Sequence, residues 1–207
     1  MKIRIVDDFL PRGDYLQIKE HLIDKPDIPY SFYEGKVYGK DANKNLQDSH
    51  MCHAFYHLNR FPHEPVTTQY LGLMLPIIAR CRVLAIHRIK ANLETYSGSE
   101  HYESEWHADW NCSENNVEPD RPKMEAAIYY VNTNNGYTEF ADEMKSPTEA
   151  VAVKKVESVA NRMVFFSAHT PHRGVSATDT RYRSVINFNW FTWSNYYNFD
   201  QNFDTYY

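Results

Sequence analysis

A mainly β fold, an antiparallel sandwich or barrel with helices packed on its N-terminal side, is what this sequence predicts, and three observations carry the prediction. After residue 83, short apolar or alternating runs recur between turn clusters, the texture of successive antiparallel strands. A hydrophobic fraction of 43%, with 15% aromatics, supplies a sizeable core and excludes a disordered chain. At 207 residues, with no internal repeat or low-complexity linker, the chain reads as one domain over 1–207. Within it, 1–82 is read as helical support, 83–193 as the β core and 194–207 as a C-terminal tail.

The elements follow in order. Residues 2–6 (KIRIV) alternate as a short strand. Asp7-Asp8-Phe9-Leu10-Pro11 leads into an amphipathic helix with Leu16, Ile18, Leu22 and Ile23 apolar, ending before Pro26. Residues 26–66 are mixed, punctuated by Gly35, Gly39, Pro62 and Pro65. Residues 67–82 predict a helix with a kink at Pro76. Strands are predicted at 83–93, 124–132, 137–140, 150–156, 162–167 and 181–191. His50, Cys52, His53, His57 and His63 invite a zinc reading, since His53 and His57 are four apart. No CxxC accompanies them, and a helix face with satisfied histidines is the better account. The tail, rich in Tyr and Phe, reads as a packed terminus, with a cover over an active-site mouth as the other reading.

Composition excludes several classes. A net charge of -5 lacks the basic footprint of a protein that grips nucleic acid through phosphates. Cys52, Cys81 and Cys112 are too few and scattered for a disulfide framework, which points to a reducing compartment. The opening MKIRIVDDFLP has acids by residue 7 and no apolar core, so no signal peptide is expected. No apolar run reaches the roughly 18 residues of a membrane span. A cytoplasmic location is the expectation, in which the Asn111-Cys112-Ser113 sequon has no meaning.

Chemistry concentrates at Trp106-His107-Ala108-Asp109-Trp110. Residues 107 and 109 leave one face of a strand, so an imidazole and a carboxylate can take adjacent positions on a metal. Alone this is weak, because His101-Tyr102-Glu103 repeats the pattern. Downstream, NRMVFFSAHTPH (161–172) reads as a buried strand and a turn that delivers His172, and Arg181 follows nine residues later. Two His and one carboxylate form the facial triad suited to non-haem Fe(II), with three positions open for a bidentate co-substrate and O2. A 2-oxo acid can chelate the iron; if it is 2-oxoglutarate, its distal carboxylate leaves the site about one unit negative and calls for a planar cation. Arg181 fits that role better than a lysine.

The stretches KANLETYSG (90–98), HAD (107–109), IYYVN (128–132), NRMVFF (161–166) and HRGVSATDTRY (172–182) resemble, in this order, the prolyl-hydroxylase branch of the Fe(II)/2-oxoglutarate dioxygenases. VDDFLP near the start looks like the usual opening of that family's core. The likeness covers residues 83–193 well and 1–25 loosely. It implies a double-stranded β-helix (a jelly-roll or cupin-like sandwich) with the N-terminal helices on one sheet. It also implies that His107, Asp109 and His172 bind iron, and that Arg181 pairs with the distal carboxylate of 2-oxoglutarate, with Tyr129 and Tyr96 hydrogen-bonding nearby. The implied activity is hydroxylation of a C–H bond with succinate and CO2 as co-products, ascorbate being a supportive additive. NNGYT (134–138) stands where the family commonly has Gly-Gly. Only Gly136 is present, which questions the reach of the flanking strand.

Rivals stand beside these assignments. His169 competes with His172, and the spacing to Arg181 favours His172. Arg183 competes with Arg181. On 181–189 one face carries Arg181, Arg183, Val185, Asn187 and Asn189, and the other Tyr182, Ser184, Ile186, Phe188 and Trp190. The polar face is expected to line the site, with both arginines inward, and the apolar face to pack on the helices. Tyr129 shares a face with Ala127 and Val131 and is equally a core tyrosine. Lys90, Asn92, Glu94 and Tyr96 share a face that lines either the pocket or a solvated surface. Arg183, Asn92, Trp110 and Asn187 are the candidate substrate contacts. All four tryptophans flank the proposed site strands, predicting bulky walls around one metal pocket. Two other readings of the whole are a small-molecule hydroxylase of the same superfamily and a non-enzymatic β-sandwich that binds a metal or ligand. The sequence leaves oligomeric state, and the choice between a peptide or protein and a small-molecule substrate, open.

Overall fold

The computed structural model describes residues 1–33, 50–58, 68–95, 98–110, 123–146 and 148–193. The expectations for Gly35, Gly39, Pro62, His63, Pro65, Tyr96, Cys112 with its sequon and the 194–207 tail fall outside the described residues.

The order of elements is β1 (Arg4–Val6), α1 (Arg12–Lys19) running on through a π-helical turn (Glu20–Asp24), β2 (Ser31–Tyr33), β3 (His50–His57), a 3-10 helix (Thr68–Met74) continued by α2 (Leu75–Arg80), β4 (Val83–Thr95), β5 (Glu125–Tyr130), β6 (Tyr137–Phe140), β7 (Met144–Ser146), β8 (Glu149–Ala150), β9 (Lys154–Glu157), β10 (Arg162–Ser167), β11 (His172–Val175) and β12 (Tyr182–Thr192). A seven-stranded sheet runs β1-β10-β5-β12-β4-β3-β2 and a three-stranded one β11-β6-β9, with β7-β8 a small ribbon. Every pairing is antiparallel. Bridges Glu103–Val175 and His107–His172 extend the small sheet past β11.

Two cores occupy the two faces of the large sheet. Between the sheets pack Ala126, Ile128, Tyr130, Val164, Phe166 and Val185 from the large sheet and Phe140 and Val156 from the small one. On the outer face, Tyr129, Phe165, Ile186, Phe188 and Trp190 meet Ile18, Leu22, Met74 and Ile77 of the helices. The two faces predicted for β12 are therefore realised from Arg183 onward, because a period of two on a sheet covered on both sides fixes which residues meet the helices. Asn161, at φ 62, ties the outer layer down. Its side chain accepts from Leu10 N–H and donates to Leu10 carbonyl, both at 2.9 Å. Asn tolerates this left-handed backbone better than most residues.

Three local expectations change. Pro76 does not lie inside one continuous α-helix; it stands in the first turn of α2, at the junction where the 3-10 helix gives way to α-helix. Residues 50–57 are a strand, not a helix face. Cys52 and Ala54 alternate with His53 and Phe55, and pairing to β2 and β4 lets β3 widen the large sheet. The strand expected at 150–156 begins at Lys154. No helix among the described residues is long and apolar enough to cross a membrane.

Candidate metal centre

His172 opens β11, and His107 lies beside it. Each donates its backbone N–H to the other's carbonyl, His107 at 3.0 Å and His172 at 2.8 Å. This pairing brings the imidazoles side by side, with ring centroids 4.4 Å apart. Asp109, two residues on from His107, turns its carboxylate to the same place, Oδ2 lying 3.9 Å from His172 Nε2. One ligand atom from each of the three lies within 4.8 Å of the others, and no other such group of His, Cys, Asp or Glu occurs among the described residues. His169 is exposed and does not join them.

The ring nitrogens are committed in a way that suits a metal. His172 Nδ1 faces the Thr170 carbonyl at 3.0 Å and His107 Nδ1 the Glu105 carbonyl at 3.3 Å. A proton on each Nδ1 leaves Nε2 with its lone pair directed inward. Burial, reinforced by His172 and only partly opposed by Asp109, pushes the His107 pKa down to about 4, so the ring is neutral near pH 7. Burial alone would raise the Asp109 pKa. Arg88, His172, His107 and the amide of Asn189 outweigh it and hold the carboxyl well below the usual range.

Arg88 and Asn189 form a clamp on that carboxylate. Arg88 Nη2 donates to Asp109 Oδ1 at 2.7 Å, Asn189 Nδ2 to Oδ2 at 3.0 Å, and Arg88 Nε to Asn189 Oδ1 at 2.9 Å. Sequence reasoning put Asn189 on the pocket face without a role and missed Arg88. Half of the signal for Arg88 was present, since it precedes Lys90, Asn92 and Glu94 in the same alternation on β4; its place opposite Asn189 emerges only from the pairing of β4 with β12.

The two arginines part company. β12 begins at Tyr182, and Arg181 is exposed ahead of it, so the shared inward face does not reach back to residue 181. Arg183 is 3% exposed. It donates to Glu94 Oε1, Ser158 Oγ and the Tyr137 carbonyl, each at 3.3 Å, and to Thr138 Oγ1 at 3.5 Å. Gly136 makes room for it, since a Cβ there would lie 2.8 Å from Arg183 Cδ. One glycine suffices, because β6 beyond it keeps full register with β11.

Tyr129 points away from this pocket. It is fully buried in the helix-side core, its hydroxyl donating to Asn161 Oδ1 at 2.9 Å. Its neighbour Tyr130 faces inward, donating to Thr138 Oγ1 at 2.8 Å beside Arg183. The phase of a double tyrosine is unreadable where both faces of the strand are buried.

Asn92 and Asn187 share the inner face of β4 and β12 with Arg88, Arg183 and Asn189, and a buried Oδ1 of each has no hydrogen-bond partner. Trp110 packs on the inner core, edge-on to His87 at 5.2 Å. The other tryptophans do not form the expected walls. Trp106 lies under the Arg173 guanidinium, Trp190 is in the helix-side core and Trp193 is exposed. Phe166 and Phe140 stand beside His172 instead, at 4.9 and 6.1 Å between rings. In the histidine-rich strand, His53 packs on Phe55 and Tyr70 and meets the Pro29 carbonyl at 2.7 Å.

The sequence matches no protein-family model and no curated protein. Solved structures do match. The epimerase SnoN in complex with Fe3+, α-ketoglutarate and nogalamycin RO is 14% identical with a TM-score of 0.52, over 92% of this chain and 78% of that one. A prolyl hydroxylase from Trichoplax adhaerens, in complex with a hypoxia inducible factor peptide fragment, is 16% identical with a TM-score of 0.51, over 96% and 87%. An oxidoreductase of the 2OG-Fe(II) oxygenase family from Burkholderia pseudomallei is 9% identical with a TM-score of 0.52, over 91% and 85%. At these identities the likeness shows the fold: this chain has the jelly roll of the iron- and 2-oxoglutarate-dependent oxygenases.

Proposed function

We propose that the protein is an Fe(II)- and 2-oxoglutarate-dependent dioxygenase that hydroxylates an unactivated C–H bond, most like a prolyl hydroxylase acting on a peptide or protein. The observation that carries the reading is the convergence of His107, Asp109 and His172 on the fold used by such oxygenases. The donor set fits: two imidazoles and one carboxylate leave coordination positions open, where a closed structural site would supply a fourth protein ligand. The partnerless Oδ1 atoms of Asn92 and Asn187 fit a polar ligand or a bridging water between the metal end and Arg183, since buried polar groups are ordinarily paired. When bound, Fe(II) with 2-oxoglutarate and O2 supplies the oxidation, releasing succinate and CO2 and placing one oxygen on the substrate.

The chain's own part is positional. His107 and His172 present Nε2 because their Nδ1 protons are engaged by main-chain carbonyls. Arg88 and Asn189 keep Asp109 ionised and oriented. Arg183, the enclosed arginine of the two, takes the anchoring role expected of Arg181, with Tyr130 replacing Tyr129 beside it. Phe140 and Phe166 keep water from the His172 side of the site. Trp110, at the residue after Asp109, is the candidate first contact for substrate.

Anaerobic addition of Fe(II) and 2-oxoglutarate is expected to give a visible charge-transfer band that His107→Ala or Asp109→Ala removes. No band from fully metallated protein overturns the assignment. Arg183→Ala is expected to weaken 2-oxoglutarate binding and Arg181→Ala to leave it near wild type; the reverse result returns the anchor to Arg181. With ascorbate present, a product one oxygen heavier from a proline-containing peptide, set against a panel of metabolites, separates peptidyl from small-molecule hydroxylation.

A further inference from the structure

Arg183 already holds a carboxylate. Glu94 on β4 is opposite Arg183 on β12 in register, and its Oε1 sits 3.3 Å from Nη1. The two residues are 8% and 3% exposed. The remaining groups around the guanidinium, Ser158, Thr138 and the Tyr137 carbonyl, are neutral. Glu94 therefore neutralises the one charge that a distal carboxylate needs, and it does so where water cannot screen a second anion.

Resting on the reading above, we propose that Glu94 is a built-in competitor for the anchoring arginine and sets how tightly a dicarboxylic 2-oxo acid binds. To seat 2-oxoglutarate, the guanidinium must either release Glu94 or serve two carboxylates at once. Both carry a cost that a 2-oxo acid without a distal carboxylate does not meet. Glu94 and Arg183 steady each other in the ligand-free pocket, because a buried arginine left without its partner is strongly destabilising. The pocket is thereby kept in shape at the expense of co-substrate affinity.

The test compares wild type with Glu94→Gln, which keeps the shape and removes the charge, and with Glu94→Ala, which removes the group and serves if the first fails to fold. Binding of 2-oxoglutarate and of 2-oxobutyrate to Fe(II)-loaded protein is measured anaerobically by calorimetry, and melting temperature with and without each acid gives a second readout. The expected result is about ten-fold tighter binding of 2-oxoglutarate by the variants and unchanged binding of 2-oxobutyrate. The ligand-free variant is expected to melt lower, with a larger rise on adding 2-oxoglutarate. Equal or weaker binding of 2-oxoglutarate by the variants, with wild type still binding it, overturns the role of Glu94 and leaves the proposed function standing. Tightening of both acids alike also overturns it, since a general loosening of the pocket needs no competitor. Failure of every form to bind either acid overturns the proposed function and this inference with it.

Discussion

The two faces of the large sheet are both covered, yet their chemistry is opposite. The outer face gives the helices Ile89, Ala91, Ile186, Phe188 and Trp190. From the same two strands, the inner face presents Arg88, Asn92, Glu94, Arg183, Asn187 and Asn189 toward the small sheet. Apolar burial on the outside stabilises by roughly 25 cal/mol per Å² removed from water. Charges on the inside contribute little net stability even when paired, since desolvation offsets their attraction. The contrast sets a face whose apolar burial holds the fold against a face that carries the polar and charged groups on which the proposed site is built, within strands only a side-chain alternation thick.

The sharpest test of that division is a deletion on the outer face. Trp190 is fully buried and its ring lies 4.7 Å from Phe188. Trp190→Ala is expected to cost about 3–5 kcal/mol in urea unfolding, with Fe(II) affinity of the folded protein near wild type. A change under 1 kcal/mol breaks the comparison. On the inner face, Arg88→Gln removes the guanidinium from Asp109 while Asn189 remains. Metal affinity is expected to fall about 10–100-fold, with a smaller effect on unfolding, read by Fe(II) or Zn(II) titration of purified protein. Unchanged affinity means that Asn189 alone orients the carboxylate. Next in size is the tyrosine pair. Tyr129→Phe loses the hydroxyl contact to Asn161 and about 1 kcal/mol, with no effect on 2-oxoglutarate binding. Tyr130→Phe is expected to weaken that binding. An effect of Tyr129→Phe on co-substrate affinity would put the face assignment in error.

What could be read in the sequence follows the same division. The β12 faces were legible because polar and apolar residues alternate there, and the convergence of His107, Asp109 and His172 because they sit in recognisable stretches. The clamp was only half legible: Arg88 acquires its role from lying across from Asn189, a long-range register that no local pattern states. Tyr129 and Tyr130 were ambiguous because β5 has apolar residues on both sides. The helix reading of 50–57 failed because two histidines four apart fit a helix, whereas burial against β4 is a tertiary fact. The inward reading of Arg181 failed because the strand boundary falls one residue after it, and boundaries are set by pairing rather than by residue type.

An exposed ion pair supplies the smallest effect and a control for the buried ones. Arg162 on β10 holds Asp7, just beyond β1, through two hydrogen bonds of 2.6 and 3.0 Å. The Asp7 side chain is 56% exposed, so solvent screens most of the attraction, and about 0.5 kcal/mol is the scale for such pairs. The hydrogen bonds from Arg162 outweigh a slight opposing effect of burial and lower the Asp7 pKa. A carboxyl with a depressed folded-state pKa stabilises above its unfolded value and loses that contribution as pH falls through the folded one. Asp7→Asn is therefore expected to be slightly less stable than wild type at pH 7, with the gap closing as the pH drops below about 4 and shrinking in high salt. If the gap instead persists in acid and in salt, Asp7 acts through hydrogen bonding and not through charge. Exposed pairs in this protein would then be no guide to the carboxylates of the inner face, where Asp109 is far more enclosed than Asp7.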